Sequence, residues 1–300
     1  MRKLRYTFKT DILFKMLFVK HPELLKHLIA ALLGIRVEEI REFAIHNPEI
    51  PPEILGSKFC RLDIKMIVNA QIADLEVQIR KEPDYGDRMI FYGSTNVAAA
   101  LPAGERYSML PRTVVISIID FNQFDCEEFH SYFETLEVTR HTPLSDKIGY
   151  HFYELRKLPE HDSENENLLL WLKLFRAETE EDLEKIESMG VPIMEEAISA
   201  YRTITATPEF RELVRLREKA AHDEASALGY AKLEGKQEGL REGMQKGMQE
   251  GLRKGMQKGI QKGASERSVE IARTGVQMGM AIEDIIRLTG LAREEVEKLS

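Results

Sequence analysis

Cysteine is nearly absent, with only Cys60 and Cys126 standing far apart in a chain of 300 residues. Two such thiols cannot supply a disulfide framework, so a reducing cytoplasm is the expected compartment. Long apolar runs are also missing. No stretch approaches the ~18 uninterrupted apolar residues of a membrane span, and Met1-Arg2-Lys3-Leu4-Arg5 leads into no signal-peptide core. No membrane partner is therefore expected. The eight histidines show no close metal-ligand spacing, and no phosphate-cradling glycine loop is present. Zinc chemistry, nucleotide hydrolysis and a nucleotide cofactor drop out on those grounds. An excess of positive charge is lacking too, since the net charge is -8. Its distribution is uneven. Residues 1–50 hold nine Lys/Arg against six Asp/Glu, and residues 232–263 hold eight against four. Residues 160–200 hold twelve acids and three bases, an acidic middle that can mask locally positive surfaces, so DNA remains open as a partner.

What is present is ordinary globular material, 43% hydrophobic and 31% charged, enough for one or two domains with a sizeable core. Two of its apolar runs alternate with period two, as half-buried strands do: 60–69, and Ala73-Asp74-Leu75-Glu76-Val77-Gln78-Ile79-Arg80. A short Asn69-Ala70-Gln71-Ile72 connection joins them. Leu75, Val77 and Ile79 share one face, while Asp74, Glu76, Gln78 and Arg80 share the other. Such a hairpin can bring Asp63 beside Glu76. Two carboxylates held close together are costly unless a divalent cation neutralises them, and hard oxygen ligands suit Mg²⁺ or Mn²⁺. The competing reading of the same face is the solvated side of a sheet.

Around this hairpin the pattern alternates between helix and strand. Phe14, Leu17 and Phe18 share a helical face, on a segment where Asp11 and Lys15 project together four residues apart. A second helix follows Pro22 through Leu24, Leu25, Leu28, Ile29 and Leu32 and stops near Gly34. Pro48, Pro51 and Pro52 mark a loop. A helix is expected from about Asp84 to Leu101, with Tyr85, Arg88 and Tyr92 on one face, broken by Pro102, Gly104 and Pro111. Thr113 to Ile119 reads as a buried central strand, Phe129 to Val138 as another, and His151 to Leu155 as a third. From about Glu164 to Thr205 the chain reads as wholly helical. Interleaved strands and helices predict an α/β or α+β core over roughly 5–160 with a helical extension.

These residues resemble the PD-(D/E)XK nuclease-like family of transposases and recombination-promoting nucleases. The resemblance includes Asp11-x-x-Phe14-Lys15-x-x-Phe18, Asp63 on a strand and Glu76-x-Gln78 on the next. It continues through Arg88-x-x-x-Tyr92, Gly104-x-x-Tyr107, the strand Val114 to Ile119, His151-Phe152-x-Glu154-Leu155 and a C-terminal Thr289-Gly290-Leu291. It implies an α/β, restriction-endonuclease-like core with a central mixed sheet, acting as a metal-dependent DNA endonuclease. It further implies that Asp63 and Glu76 hold the metal with the Val77 backbone carbonyl, Mg²⁺ being the first expectation and Mn²⁺ or Ca²⁺ the alternatives. Gln78 takes the place of the superfamily's lysine; it can orient water or phosphate but brings no positive charge. Asp11, Lys15, Arg88 and Tyr92 are secondary candidates. Asp11 is either a further metal or water ligand or a helix N-terminal acid. Lys15 contacts phosphate or pairs with Asp11, Arg88 is expected on phosphate, and Tyr92 either faces the site or packs.

Residues 235–263 place glycine at every fourth position from Gly235 to Gly263, and Leu240, Met244, Met248, Leu252, Met256 and Ile260 each follow a glycine directly. Each glycine costs a helix ~1 kcal/mol relative to alanine. Close approach of a partner helix, with the apolar stripe alongside, would compensate; a flexible linker repeat is the other reading. Self-association as a homodimer or higher oligomer is the expectation, because the stripe is otherwise exposed. Two further helical patterns flank Thr289-Gly290 and resemble a helix-turn-helix whose second helix carries three glutamates. The expected divisions are a nuclease-like core at 1–160, an acidic helical region at 161–231, the glycine repeat at 232–264 and a small oligomerisation segment at 265–300. The rival to an enzyme is a non-catalytic DNA-binding or self-assembling protein on a decayed nuclease fold.

Overall fold

The helical spacing at the start of the chain folds into α1 (Asp11–Lys20) and α2 (Pro22–Leu33). The structure is a computed structural model that describes residues 2–46, 63–161 and 165–299. The loop at Pro48, Pro51 and Pro52, the Cys60-Arg61-Leu62 start of the first expected strand and Glu164 lie outside the described residues. Pro22 opens α2, where its missing N–H would have no helical partner anyway. Gly34 closes it at a φ of 65°, a left-handed cap that glycine adopts without steric cost.

Six strands make one mixed sheet: β1 (Phe43–Ile45), β2 (Ile64–Val68), β3 (Gln71–Gln78), β4 (Thr113–Ile119), β5 (His130–Leu136) and β6 (Pro143–Glu154). The order is β1-β2-β3-β4-β6-β5, with β3–β4 and β4–β6 parallel and the other pairs antiparallel. This is the α/β architecture with a central mixed sheet that was expected. The connection between β2 and β3 is tighter than the four residues expected. Asn69 and Ala70 turn the chain alone, at φ 49° and 60°, the positive values of a hairpin turn that matches strand twist. Asn69 also anchors the turn: its Oδ1 accepts from the Arg41 N–H at 2.8 Å, and its Nδ2 donates to the Glu39 carbonyl at 2.8 Å.

A parallel β3–β4 pair needs a crossover, and α3 (Tyr85–Ala100) provides it. Every residue of β4 is buried, as its continuous β-branched run requires. β6 begins well before His151. Among the described residues, 143–147 pair only with edge strand β5, and three of these five are exposed, so they carry no apolar run to announce the strand. The helical stretch after Glu164 divides into α4 (Glu166–Arg176), α5 (Glu180–Glu187) and α6 (Pro192–Ala206). Thr179 starts α5 with a reciprocal cap to Asp182, and Gly190 at φ 65° ends the turn before Pro192.

Apolar residues pack on both faces of the sheet. The larger cluster joins Ala73, Leu75, Val114, Ile116 and Ile118 to α1, α2 and α4–α6, with Phe14, Phe18, Trp171 and Phe175 at its centre. The smaller one joins Val115, Ile119 and Phe152 to Tyr85 and Met89 of α3. Gly93 sets how closely α3 lies on the sheet, since a Cβ there would stand 2.6 Å from the Tyr150 hydroxyl. The even-numbered residues of β3 therefore look towards α3, and that is where the acids lie.

α7 (Pro208–Gln277), α8 (Ile282–Thr289) and α9 (Arg293–Glu297) complete the chain. The molecule divides into two compact units, Met1–Glu224 and Ala225–Ser300. In the second, the glycine repeat is helical, and among the described residues no atom beyond the helix's own neighbouring backbone lies within 4 Å of a Cβ built on any of its glycines. Leu240, Met244, Met248, Leu252, Met256 and Ile260 are each 65–79% exposed. α8 and α9 close on the end of α7 through Ala272, Ile285 and Val296. Among the described residues no helix is long and apolar enough to cross a membrane.

Candidate active site

β2 and β3 pair antiparallel with Ile64 opposite Leu75 and Lys65 opposite Asp74. Extending that register by one residue places Asp63, just before β2, opposite Glu76. The short Asn69–Ala70 turn fixes this register, because a slip of one residue would send the acids into the larger core. In the other direction, the Gln78 carbonyl accepts from the Asp120 N–H of the β4 side at 3.0 Å. Successive carbonyls along a strand alternate, so Val77 turns its carbonyl to the β2 side, the side of Asp63.

Side chains of α3 and α1 close around these groups. Glu76 is 7% exposed, and Arg88 Nη2 donates to its Oε1 at 2.8 Å. The same guanidinium bonds Glu82 and lies 4.7 Å over the Tyr85 ring. Gln78 Nε2 donates to the Arg80 carbonyl at 2.9 Å and to Glu82 Oε1 at 3.3 Å. Lys15 reaches from α1, its side chain buried, and donates to the Asp63 main-chain carbonyl at 2.8 Å. Asp11 accepts from its neighbour's N–H at 2.8 Å and from Arg217 Nε at 2.9 Å. Tyr92 packs half-buried against the cluster of Tyr85 and Met89.

One acid joins the group that the sequence reading did not nominate. Asp74 is 7% exposed, and its Oδ2 accepts from Asn96 Nδ2 at 2.8 Å. Asn96 Oδ1 in turn accepts from Lys65 Nζ at 2.8 Å. Burial first, and then the negative charge of Asp63, push the Asp74 carboxyl up to about 7, with Glu76 adding to the shift. The signal was legible, since Asp74 stands two residues before Glu76 on the same strand face. The Tyr85 hydroxyl is also pushed up, by burial and then by Glu76.

Among the described residues no three His, Cys, Asp or Glu side chains converge as they would on a metal ion. The donor chemistry nevertheless suits a hard cation: carboxylates of Asp63 and Glu76 near enough to raise the proton affinity of Asp74, a carbonyl turned to their side, and a buried Asp74 Oδ1 without a hydrogen-bond partner among the described residues.

A family model described as PD-(D/E)XK nuclease family transposase matches residues 8–231. The chain belongs to this family. No match is found among the curated proteins or the solved structures. Membership makes the chain a nuclease- or transposase-related protein, with DNA the substrate such a family implies. PD-(D/E)XK nucleases generally use divalent metals.

Proposed function

We propose that this chain is a divalent-metal-dependent DNA endonuclease that hydrolyses phosphodiester bonds, working in the cytoplasm in recombination, mobile-element or defence biology. The observation that carries the reading is the β2–β3 register, which leads Asp63 to face Glu76, with Gln78 one repeat further along the same face. Asp63, Glu76 and the Val77 carbonyl would hold Mg²⁺, or Mn²⁺ or Ca²⁺ in its place. Such an ion supplies Lewis acidity, polarising the scissile phosphate and lowering the pKa of an attacking water. Lys15 fixes the main chain of Asp63, so that carboxylate starts from a rigid base. Arg88 neutralises Glu76 and, with Glu82 as its second partner, can turn to phosphate. Gln78 orients water or phosphate through its amide. Self-association through the exposed stripe of the glycine repeat would bring two such units to one DNA molecule.

A second reading has its own support. Arg88 occupies Glu76, and Gln78 is bonded to Arg80 and Glu82, as in a decayed nuclease fold that only binds DNA or assembles. Supercoiled plasmid separates the two. Wild-type protein with Mg²⁺ or Mn²⁺ should nick or linearise it, and Asp63→Ala and Glu76→Ala should each lose most of that activity while remaining folded. Plasmid left intact but retarded on a gel would favour the non-catalytic reading.

A further inference from the structure

α3 covers the sheet over β4 and β6, where Tyr85 and Met89 pack with Val115, Ile119 and Phe152 and Gly93 lies against Tyr150. The same face continues onto β2 and β1. There His46, Lys65, Ile67 and Ile72 border a cleft of about 470 Å³ beside the last turns of α3, closed by Asn96 and Pro111. Such a volume lies within the roughly 300–1,000 Å³ of small-ligand sites. One end of the cleft is basic. His46 and Lys65 are neighbours there, since the His46 N–H donates to the Lys65 carbonyl at 2.8 Å. Lys65 Nζ donates to Asn96 Oδ1 at 2.8 Å, and an ammonium carries three donor hydrogens, so a phosphate oxygen can share it with Asn96. The walls between are apolar at Ile67, Ile72 and Pro111, and Glu42 lies at the far end, beside the Asn69 turn. Asp63 precedes Lys65 by two residues on the same face, about 7 Å along the strand, and the register leads it to face Glu76. The basic end of the cleft therefore opens on the acid pair. A strand with one phosphate at Asp63 and Glu76 brings its next phosphate towards Lys65.

We propose that this cleft seats the nucleotide adjoining the scissile phosphate of a DNA strand, with Lys65 bonding that nucleotide's phosphate. The inference rests on the DNA-cleaving reading above and extends it to a cation outside the expected site residues. Gln78 brings no positive charge to the acids, and Arg88 is shared by Glu76 and Glu82. Lys65 pairs across the strands with Asp74, on the other side of Glu76 from Gln78. It supplies there the attraction that a phosphate chain needs to approach a cluster of carboxylates. The apolar walls then meet the sugar and base.

The test is fluorescence anisotropy of a labelled DNA duplex titrated with the full-length protein, in Ca²⁺ and in chelator, over roughly 50–200 mM salt. Wild type is compared with Lys65→Ala, Lys65→Arg and Ala99→Trp. Ala99 is exposed in the last turn of α3 and lines the cleft, so an indole there would fill it while leaving Lys65 in place. Lys65→Ala should weaken binding about three- to tenfold and lower the slope of log affinity against log salt by about 0.9, the loss of one phosphate contact. Lys65→Arg should keep the wild-type slope, and Ala99→Trp should act like Lys65→Ala. Affinity and slope unchanged in both Lys65→Ala and Ala99→Trp would overturn this inference and leave the DNA-cleaving reading standing. An effect of one without the other would overturn it too, since Lys65 and the cleft would then act apart. If Lys65→Ala does not fold, Ala99→Trp decides alone. Wild type that binds the duplex in neither buffer would bring down both.

Discussion

Arg88 and Gln78 stand next to the acids of β3. Arg88 supplies a cation bonded directly to Glu76, and Gln78 stands two residues further on without a charge. If Gln78 orients water or phosphate, Gln78→Lys should preserve or raise plasmid cleavage, and Gln78→Ala should lower turnover more than DNA affinity. Unchanged rates in both would remove Gln78 from the site. Away from the acids, His151 lies with its Nδ1 3.0 Å from His130 Nε2. Burial, then His130 and Arg112, push His151 down to about 4 from 6.5. The unfolded chain therefore binds a proton near pH 6.5 that the folded chain takes up only near pH 4. Stability is fully present above that window and declines as pH falls through it. The urea midpoint should drop between pH 7 and pH 4.5, and His151→Gln should flatten the slope; equal slopes would contradict the assignment. The acids of β3 were legible because period two sorts them onto one face. Arg88's partner was not, because helical spacing places Arg88 and Tyr92 together without choosing between phosphate and Glu76.

Among the elements, the β2–β3 hairpin does most to shape the site, and its turn is strained. Ala70 holds φ 60°, a left-handed value that L side chains pay for by about 1–2 kcal/mol. Ala70→Gly should therefore raise stability by about 0.5–1 kcal/mol in urea unfolding, with plasmid cleavage unchanged; a loss of stability would mean that the turn differs from the one described. The opposite case is Gly93 in α3. Its Cβ would meet the rigid Tyr150 ring, so Gly93→Ala should cost about 1–3 kcal/mol despite alanine's higher helix propensity. The helices and the buried strand β4 could be read from their spacing because burial dictates it. The early half of β6 could not, since an edge pairing is made by backbone hydrogen bonds that any side chain permits. The division of 166–206 into three helices rests on Thr179 and Gly190, single residues inside an otherwise helical pattern.

At the scale of the whole molecule, the glycine repeat poses the strongest conflict between local propensity and structure. It is helical although glycine disfavours helix, and its apolar stripe is exposed among the described residues of the chain's second unit. If protomers join by close helix contact there, replacing Gly243, Gly247 and Gly251 with Leu should yield smaller or altered oligomers by light scattering, even as helix content rises. A tether makes no contacts to lose, so an unchanged mass would refute the packing account. The four-residue period made the stripe visible in the sequence. Its partner was not visible, because a surface identifies what it buries only when the second surface is known.

The central claim is that a cation held at Asp63 and Glu76 lets this protein hydrolyse DNA. The most direct measurement follows conversion of supercoiled plasmid by wild type and Asp63→Ala, first in excess chelator and then after Mg²⁺ or Mn²⁺ is restored. The account predicts intact plasmid in chelator, nicked or linear product on adding the ion to wild type, and no recovery with Asp63→Ala. Cleavage by wild type in excess chelator, or equal cleavage by Asp63→Ala, would contradict it.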